Sequence, residues 1–352
     1  MNSERSVWVV GDIHGMLDPL TVLLNTIRCV EYSRHRRTTL VFLGDYIDHG
    51  PCTKEVIDAL TALRDEFEVV LLAGNHEDMM LQFLDPQPGM EEYAKLWLHG
   101  NGGQATLCSL LKSPHILKRL WMRSSTTRPL ANTDIALHPR YHDFLESLVY
   151  AHSEQLELDG SPDHPLNLAF THAPLHRGTD LAPSPDGDEH IDIPLSRQLS
   201  ARTREEFLQL CCEYRTWIEH YHIWNRALPR TKYGDFMLIH GHTPTSILHD
   251  QEGTRLGTYK PESARPFVIF PEGQQVNVHT EEGNLCFDAP LTDVVGINID
   301  TGCVYGDALT ALNFSTHRLR TDARIGVIQV HPGWAQRDYG ACRRFHLQFS
   351  GR

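Results

Sequence analysis

Five times along this chain, a short apolar run rich in β-branched residues stops abruptly at a turn carrying ligand-type side chains. Val7–Val10 ends in Gly11-Asp12-Ile13-His14-Gly15, Leu40–Leu43 in Gly44-Asp45-Tyr46-Ile47-Asp48, and Val69–Leu72 in Ala73-Gly74-Asn75-His76-Glu77. Leu166–Phe170 ends in Thr171-His172, and Phe236–Ile239 in His240-Gly241-His242. Continuous apolar runs of this length read as strands buried on both faces. Between the first three lie amphipathic stretches at helical spacing, such as Leu17, Leu20, Leu23, Leu24 and Ile27, then Val56, Ile57, Leu60 and Leu63. Strand–helix–strand repeats of this kind predict an α/β fold with a βαβαβ core, that is, a mainly parallel sheet core. In open α/β sheets, ligands bind at the carboxyl ends of the strands. Any one Asp or Asn there could be a turn former or a helix cap. Caps do not require histidine, and they do not require every end to be ligating.

The other stretches carry weaker signals. Residues 85–150 read as mostly helical, most clearly over Glu91–Leu98 and Leu110–Trp121. A Pro/Asp-rich loop is expected over 179–196 and a helix around Arg204–Trp217. Strands are expected at Phe267–Phe270, Gln275–Val278 and Val294–Ile299, the last ending in Asp300. The tail 316–352 carries seven Arg and two Asp in a chain whose formal charge is −13. That acidity disfavours a phosphate backbone as partner, so no nucleic acid is expected. No apolar run approaches the ~18 residues of a membrane span, and no secretory signal core is visible, so no membrane is expected. The eight cysteines show no zinc-finger or CxxC spacing. They read as reduced thiols in the cytoplasm.

Oxygen and imidazole donors without thiolate suit Mn²⁺, Fe or Zn²⁺. The set Asp12, His14, Asp45, Asn75 and two further histidines is too large for one open catalytic ion. It suits two ions sharing a carboxylate, the arrangement used for in-line displacement at phosphorus. Spacing alone does not choose between His240 and His242.

In order, Gly11–Gly15, Gly44–Gly50, Gly74–Glu77, Thr171-His172 and Gly241–Pro244 resemble the motifs of the calcineurin-like metallophosphoesterases. The branch most resembled is the bacterial and bacteriophage-type serine/threonine protein phosphatases. Trp97, Asn101–Gly103 with Thr106-Leu107, Trp224–Arg226, and Ile299–Gly302 with Tyr305-Gly306 also look like that branch. The resemblance implies a metallophosphoesterase-like α/β sandwich. One domain would cover 1–315, with a helical insertion near 85–150 and an inserted segment near 247–290. A basic extension of the same domain would follow over 316–352.

The resemblance also implies roles. Asp12 and His14 would bind the first metal, Asp45 both, and Asn75, His172 and His242 the second; the motif thus favours His242 over His240. The ions would be divalent, Mn²⁺ first, with Fe or Zn²⁺ as alternatives. A hydroxide bridging them would attack phosphorus in line, His76 would protonate the leaving oxygen, and Asp48 would hold His76. Arg226 would grip the phosphate. His49, standing where the family usually has arginine, would lie beside it. The substrate would be a phosphoprotein or a small phosphorylated molecule. A dinucleoside polyphosphate hydrolase, the bis(5'-nucleosyl)-tetraphosphatase, is the alternative, and a metal-holding scaffold without catalysis ranks third. His176 and Arg177 read as surface loop residues, and Glu77 as a carboxylate favourable in a helix's first turn.

Overall fold

The computed structural model describes residues 4–32, 37–85, 91–111, 137–157, 165–177, 192–214, 221–248, 264–332 and 342–351. In chain order the elements begin with β1 (Arg5–Val10), α1 (Leu17–Glu31), β2 (Arg37–Phe42), α2 (Thr53–Ala62), β3 (Glu68–Leu71) and α3 (Asn75–Leu84). Helices α4 (Glu91–Gly100), α5 (Gly103–Leu111) and α6 (Pro139–Glu146) follow, then β4 (His152–Glu157) and β5 (Pro165–Phe170). Next come α7 (Leu195–Ser200), α8 (Arg204–Tyr214), β6 (Phe236–His240), β7 (Phe267–Ile269), β8 (Val278–Glu281), β9 (Asn284–Pro290) and β10 (Gly296–Asn298). The last are β11 (Leu309–Ser315), α9 (Thr316–Asp322), β12 (Arg324–Val330) and β13 (Cys342–Gly351).

The strands form two sheets. The first has the order β3-β2-β1-β11-β12-β13-β9-β8, and the second β4-β5-β6-β10-β7. Strands β1, β2 and β3 are parallel, as the βαβ reading requires, and so are β5, β6 and β10. Beyond that parallel core, β11, β12 and β13 extend the first sheet antiparallel from β1. Arg324–Val330 and Cys342–Gly351 thus lie inside the sheet.

Alternation along β1 shows how the layers assemble. Val7 and Val9 face the apolar layer between the sheets, shared with Leu168, Phe170, Ile239, Ile297 and Phe314. Trp8 and Val10 face the layer under the helices, with Leu20, Leu23 and Ile27 of α1 and Val56 and Leu60 of α2. Successive strand side chains point to opposite faces, so a strand apolar at every position must be covered twice. The sheets therefore pack face to face, with helices outside the first.

Some boundaries move. The strand expected at Gln275–Val278 begins only at Val278. The helices expected over Leu110–Trp121 and Arg204–Trp217 are described to Leu111 and Tyr214, and residues 178–191 of the Pro/Asp-rich loop lie outside the described residues. Residues 249–263 of the inserted segment lie outside them too.

Candidate metal centre

The carboxyl ends of both parallel trios meet at one place. Asp12 and His14 follow β1, Asp45 and Asp48 follow β2, and Asn75 and His76 open α3 just beyond β3. His172 follows β5, His242 follows β6, and Asp300 follows β10. The turns are sharp: φ is positive at His14 (47°), Asp45 (52°), Asp48 (71°), His49 (58°) and His242 (70°). Non-glycine residues held there cost of order 1–3 kcal/mol each and persist only where the surroundings enforce them. Glu77 does much of the enforcing. Its fully buried carboxylate accepts from the backbone N–H groups of Asp45 (2.9 Å), Tyr46 (2.8 Å), Ile47 (3.2 Å) and Gly74 (2.9 Å). Glycine is required at 74 and 241, because a Cβ there would collide with the carboxylates of Asp45 and Asp12.

Two groups of donor atoms, each within 4.8 Å, meet here, Asp12, His14 and Asp45, and Asp45, His172 and His242, with His14, His49 and His76 as a third beside them. Asp45 belongs to the first two. Its carboxylate lies 3.4 Å from His14 Nε2 and 3.4 Å from His172 Nε2. Asn75 Oδ1 sits 3.0 Å from both His172 Nε2 and His242 Nδ1.

Backbone carbonyls set the tautomers. His14 Nδ1 donates to Ile47 O (2.9 Å), His172 Nδ1 to Leu43 O (2.8 Å) and His242 Nε2 to Trp224 O (3.1 Å). The opposite nitrogens are left as lone pairs aimed into the cluster, the usual arrangement around a metal. Burial lowers the pKa of all three, which keeps them neutral. His240 is placed otherwise. Its Nδ1 is 3.2 Å from Gly241 O, and among the described residues its Nε2 has no partner and it belongs to none of these groups.

The charge balance also asks for cations. Burial, reinforced by neighbouring carboxylates, raises Asp12 and Asp45 well above the usual range and lifts Asp300 to about 6 and Glu77 to about 7. Buried carboxylates this close cannot all ionise without a compensating positive charge. Two divalent ions at these donors satisfy that demand, so the residues present fit the group.

Beside the shared carboxylate stands a hydrogen-bonded pair. His76 Nδ1 is 2.6 Å from Asp48 Oδ2, and His76 Nε2 is 3.8 Å from Asp45 Oδ2. Asp48 also accepts from Trp97 Nε1 (2.7 Å) and Thr106 Oγ1 (2.6 Å). Burial disfavours charge on both partners, pushing Asp48 up to about 7 and His76 down to about 3.

At the rim, Arg226 is exposed, donates from Nη1 to Thr243 Oγ1 (2.9 Å) and lies within the field of Asp300, Asp45 and Asp12. His49 is exposed, its ring 5.0 Å from that of His14 and 5.2 Å from that of His76. Burial of its inner face lowers its pKa. Two readings change. His176 is buried, not a surface histidine, and its N–H donates to Gln198 Oε1 at 2.7 Å. Arg177 is half-buried and turned away, its guanidinium over the Tyr233 ring and bonded to Lys232 O.

Sequence reasoning gave Asp300 no role, although its strand ends like the other five. The clamp by Glu77, and the grip of Trp97 and Thr106 on Asp48, are visible only in three dimensions.

The arrangement defines a metal-dependent hydrolase. The chain belongs to the calcineurin-like phosphoesterase family, whose profile matches residues 5–273, and it is a metal-dependent phosphoric ester hydrolase. It is 23% identical over 318 residues to the asymmetrical bis(5'-nucleosyl)-tetraphosphatase PrpE of Oceanobacillus iheyensis, covering 87% of each chain. It is 36% identical over 99 residues to serine/threonine-protein phosphatase 1 of Salmonella typhimurium, covering 28% of this chain and 39% of that one. A solved cold-active protein tyrosine phosphatase superposes over 92% of this chain and 75% of its own, at 14% identity and a TM-score of 0.46, too loosely to argue from. No described helix is long and apolar enough to cross a membrane.

Proposed function

We propose that this chain is a dinuclear phosphoesterase acting on phosphate monoesters, with phosphoserine and phosphothreonine of proteins as its leading substrates. The observation that supports it most is Asp45, shared by two donor groups and flanked by the His76–Asp48 pair. A monoester of serine has a poor leaving group, and a positioned acid is what such a group needs. Two divalent ions, Mn²⁺ by the imidazole-rich donor set, supply positive charge and an activated water at neutral pH when bound.

The chain's own residues do the rest. Asp12, His14, Asp45, Asn75, His172 and His242 hold the ions. The exposed guanidinium of Arg226 binds phosphoryl oxygens with its planar fork. His76 delivers a proton from Nε2 to the leaving oxygen. The step needs the imidazolium, which burial alone disfavours, and the Asp48 carboxylate at Nδ1 with the dianionic phosphoryl group at Nε2 supplies the compensating charge. Trp97 and Thr106 fix Asp48 so that the pair does not swing away. The eight unbridged cysteines fit a reducing cytoplasm.

The similarity to a bis(5'-nucleosyl)-tetraphosphatase over 87% of each chain favours a second reading, cleavage of a dinucleoside polyphosphate. A panel with Mn²⁺ separates the two: phosphoserine and phosphothreonine peptides, a phosphotyrosine peptide, p-nitrophenyl phosphate and diadenosine tetraphosphate. The first reading expects kcat/KM to be highest on the phosphopeptides and lost on chelation. Faster turnover of diadenosine tetraphosphate than of every monoester overturns it in favour of the second, and full activity in excess chelator overturns both.

A further inference from the structure

We propose that Tyr305 and His49 form a subsite for a flat aromatic ring carried by the leaving group. The proposal rests on the phosphate-binding reading above and adds what lies beyond the scissile oxygen.

The general acid marks the direction in which the leaving group departs. His76 is buried, and the next ring outward is His49, at 5.2 Å. Beyond it stands Tyr305, its ring centroid 6.4 Å from that of His49. The path from acid to solvent is therefore lined by two rings in succession. Tyr305 is 63% exposed, and single exposed hydrophobes are ordinary. What sets it apart is its place. Its hydroxyl lies in the field of Asp300, Asp45 and Arg226, at the lip of the centre.

Tyr305 is also held. It ends a single turn, Cys303–Tyr305, bounded by Gly302 and Gly306, both in the left-handed region at φ 74° and 98°. Cys303 beneath it is buried, and Tyr305 N–H donates to Gly302 O (3.0 Å). A ring on so short a turn offers contact area with little rotamer entropy to lose. The His49 and Tyr305 rings are tilted by 50°, so they do not stack on each other. His49 meets His14 and His76 in edge contacts, and the exposed Tyr305 ring beyond it offers a face to which a flat ring fits better than a puckered one. The imidazole at position 49 gives up the permanent charge of an arginine and supplies a ring face instead.

Three kinds of substrate bring such a ring. In a phosphotyrosine peptide it is bonded to the scissile oxygen, in a phosphoserine peptide it can be a neighbouring side chain, and in a dinucleoside polyphosphate it is a base.

The test uses the Mn²⁺-loaded full chain and two matched non-hydrolysable ligands, 2-phenylethyl phosphonate and 2-cyclohexylethyl phosphonate. They share the phosphate mimic and the tether and differ in the ring. Calorimetry on wild type, Tyr305→Ala and Tyr305→Phe reads the ratio of their Kd values. The expected result is about tenfold preference for the flat ring in wild type, of the size of one ring stacked on an aromatic side chain. Tyr305→Phe keeps that preference and Tyr305→Ala brings it below about twofold. Equal binding of the two ligands by wild type overturns the subsite and leaves the phosphate-binding reading standing, as does a preference that survives Tyr305→Ala. Failure of the protein to bind either phosphonate overturns both. The source of the ring is read by kcat/KM, comparing the loss in Tyr305→Ala for a phosphotyrosine peptide, a phosphoserine–phenylalanine peptide and diadenosine tetraphosphate. The largest loss names it, and equal losses on these and on a phosphoserine–alanine peptide count against the subsite.

Discussion

Among the described residues, four non-glycine residues on the first sheet's side of the centre are held at positive φ, namely His14, Asp45, Asp48 and His49; on the second sheet's side only His242 is. The chemistry divides along the same line. Among the described residues, the first sheet contributes the carboxyls of Asp12, Asp45 and Asp48, with Glu77 behind them and the imidazoles of His14 and His76 beside them, whereas the second contributes the imidazoles of His172 and His242 and the carboxyl of Asp300. One half concentrates carboxyls on strained loops, and the other closes over them from strand ends where His242 alone of its named site residues is strained. The strained half needs support that the other does not, and Glu77 gives it, through four N–H bonds to the loops that carry the ligands. The second half is tied in through backbone bonds, such as Gly241 N to His172 O (2.8 Å) and Ile299 N to His240 O (2.9 Å).

The largest break in this contrast comes from the shared carboxylate. Asp45→Asn is expected to cost more than ~100-fold in metal affinity, above the 10–100-fold typical for residues that only support ligands. Asp12→Asn, which touches one donor group, should cost less; elemental analysis after dialysis against Mn²⁺ checks the order. Next in size, His76→Asn should keep its metal and lose ~10²–10⁴ in kcat on a phosphoserine peptide. The loss should shrink on p-nitrophenyl phosphate, whose leaving group scarcely needs a proton, and equal losses on both would remove His76 as the acid.

Glu77→Gln sharpens the comparison. One acceptor oxygen becomes an amide nitrogen, so two of the four clamped N–H groups lose their partner, at ~1–3 kcal/mol each. The Tm should fall, and metal affinity should drop ~10–100-fold although the side chain is no ligand. Unaltered affinity would show that the strained loops hold themselves.

The smallest effect is a pH dependence. The folded-state pKa values of Asp300 (about 6) and Glu77 (about 7) lie above their unfolded values. Without metal, the stability these groups contribute is therefore present at low pH and lost as pH rises through that range. Divalent ions take the place of the protons. The Tm difference between Mn²⁺-loaded and chelated protein should widen from pH 5 to pH 7.5, and a constant difference would contradict this linkage.

Much of the centre was legible in the sequence, because a buried apolar run that ends in Asp, Asn or His violates the usual polarity of a strand. The same rule pointed at β1, β2, β3, β5 and β6, and would have added Asp300. The strands that lack such runs were missed. In β13 only Leu347 and Phe349 are buried among Arg343, Arg344, His346 and Gln348. In β4 only Leu156 is buried. Such strands are specified by their neighbours, β12 and β9 for the one and β5 for the other, which local periodicity does not record. In β11 and β12, by contrast, nearly every position is buried, but polar residues such as Thr310, Asn313 and Gln329 interrupt the apolar run. Trp97 and Thr106 stood out as motif residues, but their role depends on α4 and α5 folding back onto the β2 loop.

The central claim is that one carboxylate, Asp45, joins two ions into a single centre. Electron paramagnetic resonance of the Mn²⁺-loaded protein, with metal content measured on the same sample, tests it directly. The account predicts two manganese ions per chain with the spectrum of an exchange-coupled pair, and loss of that coupling in Asp45→Asn. One ion per chain, or two ions with uncoupled spectra in the wild type, would contradict it.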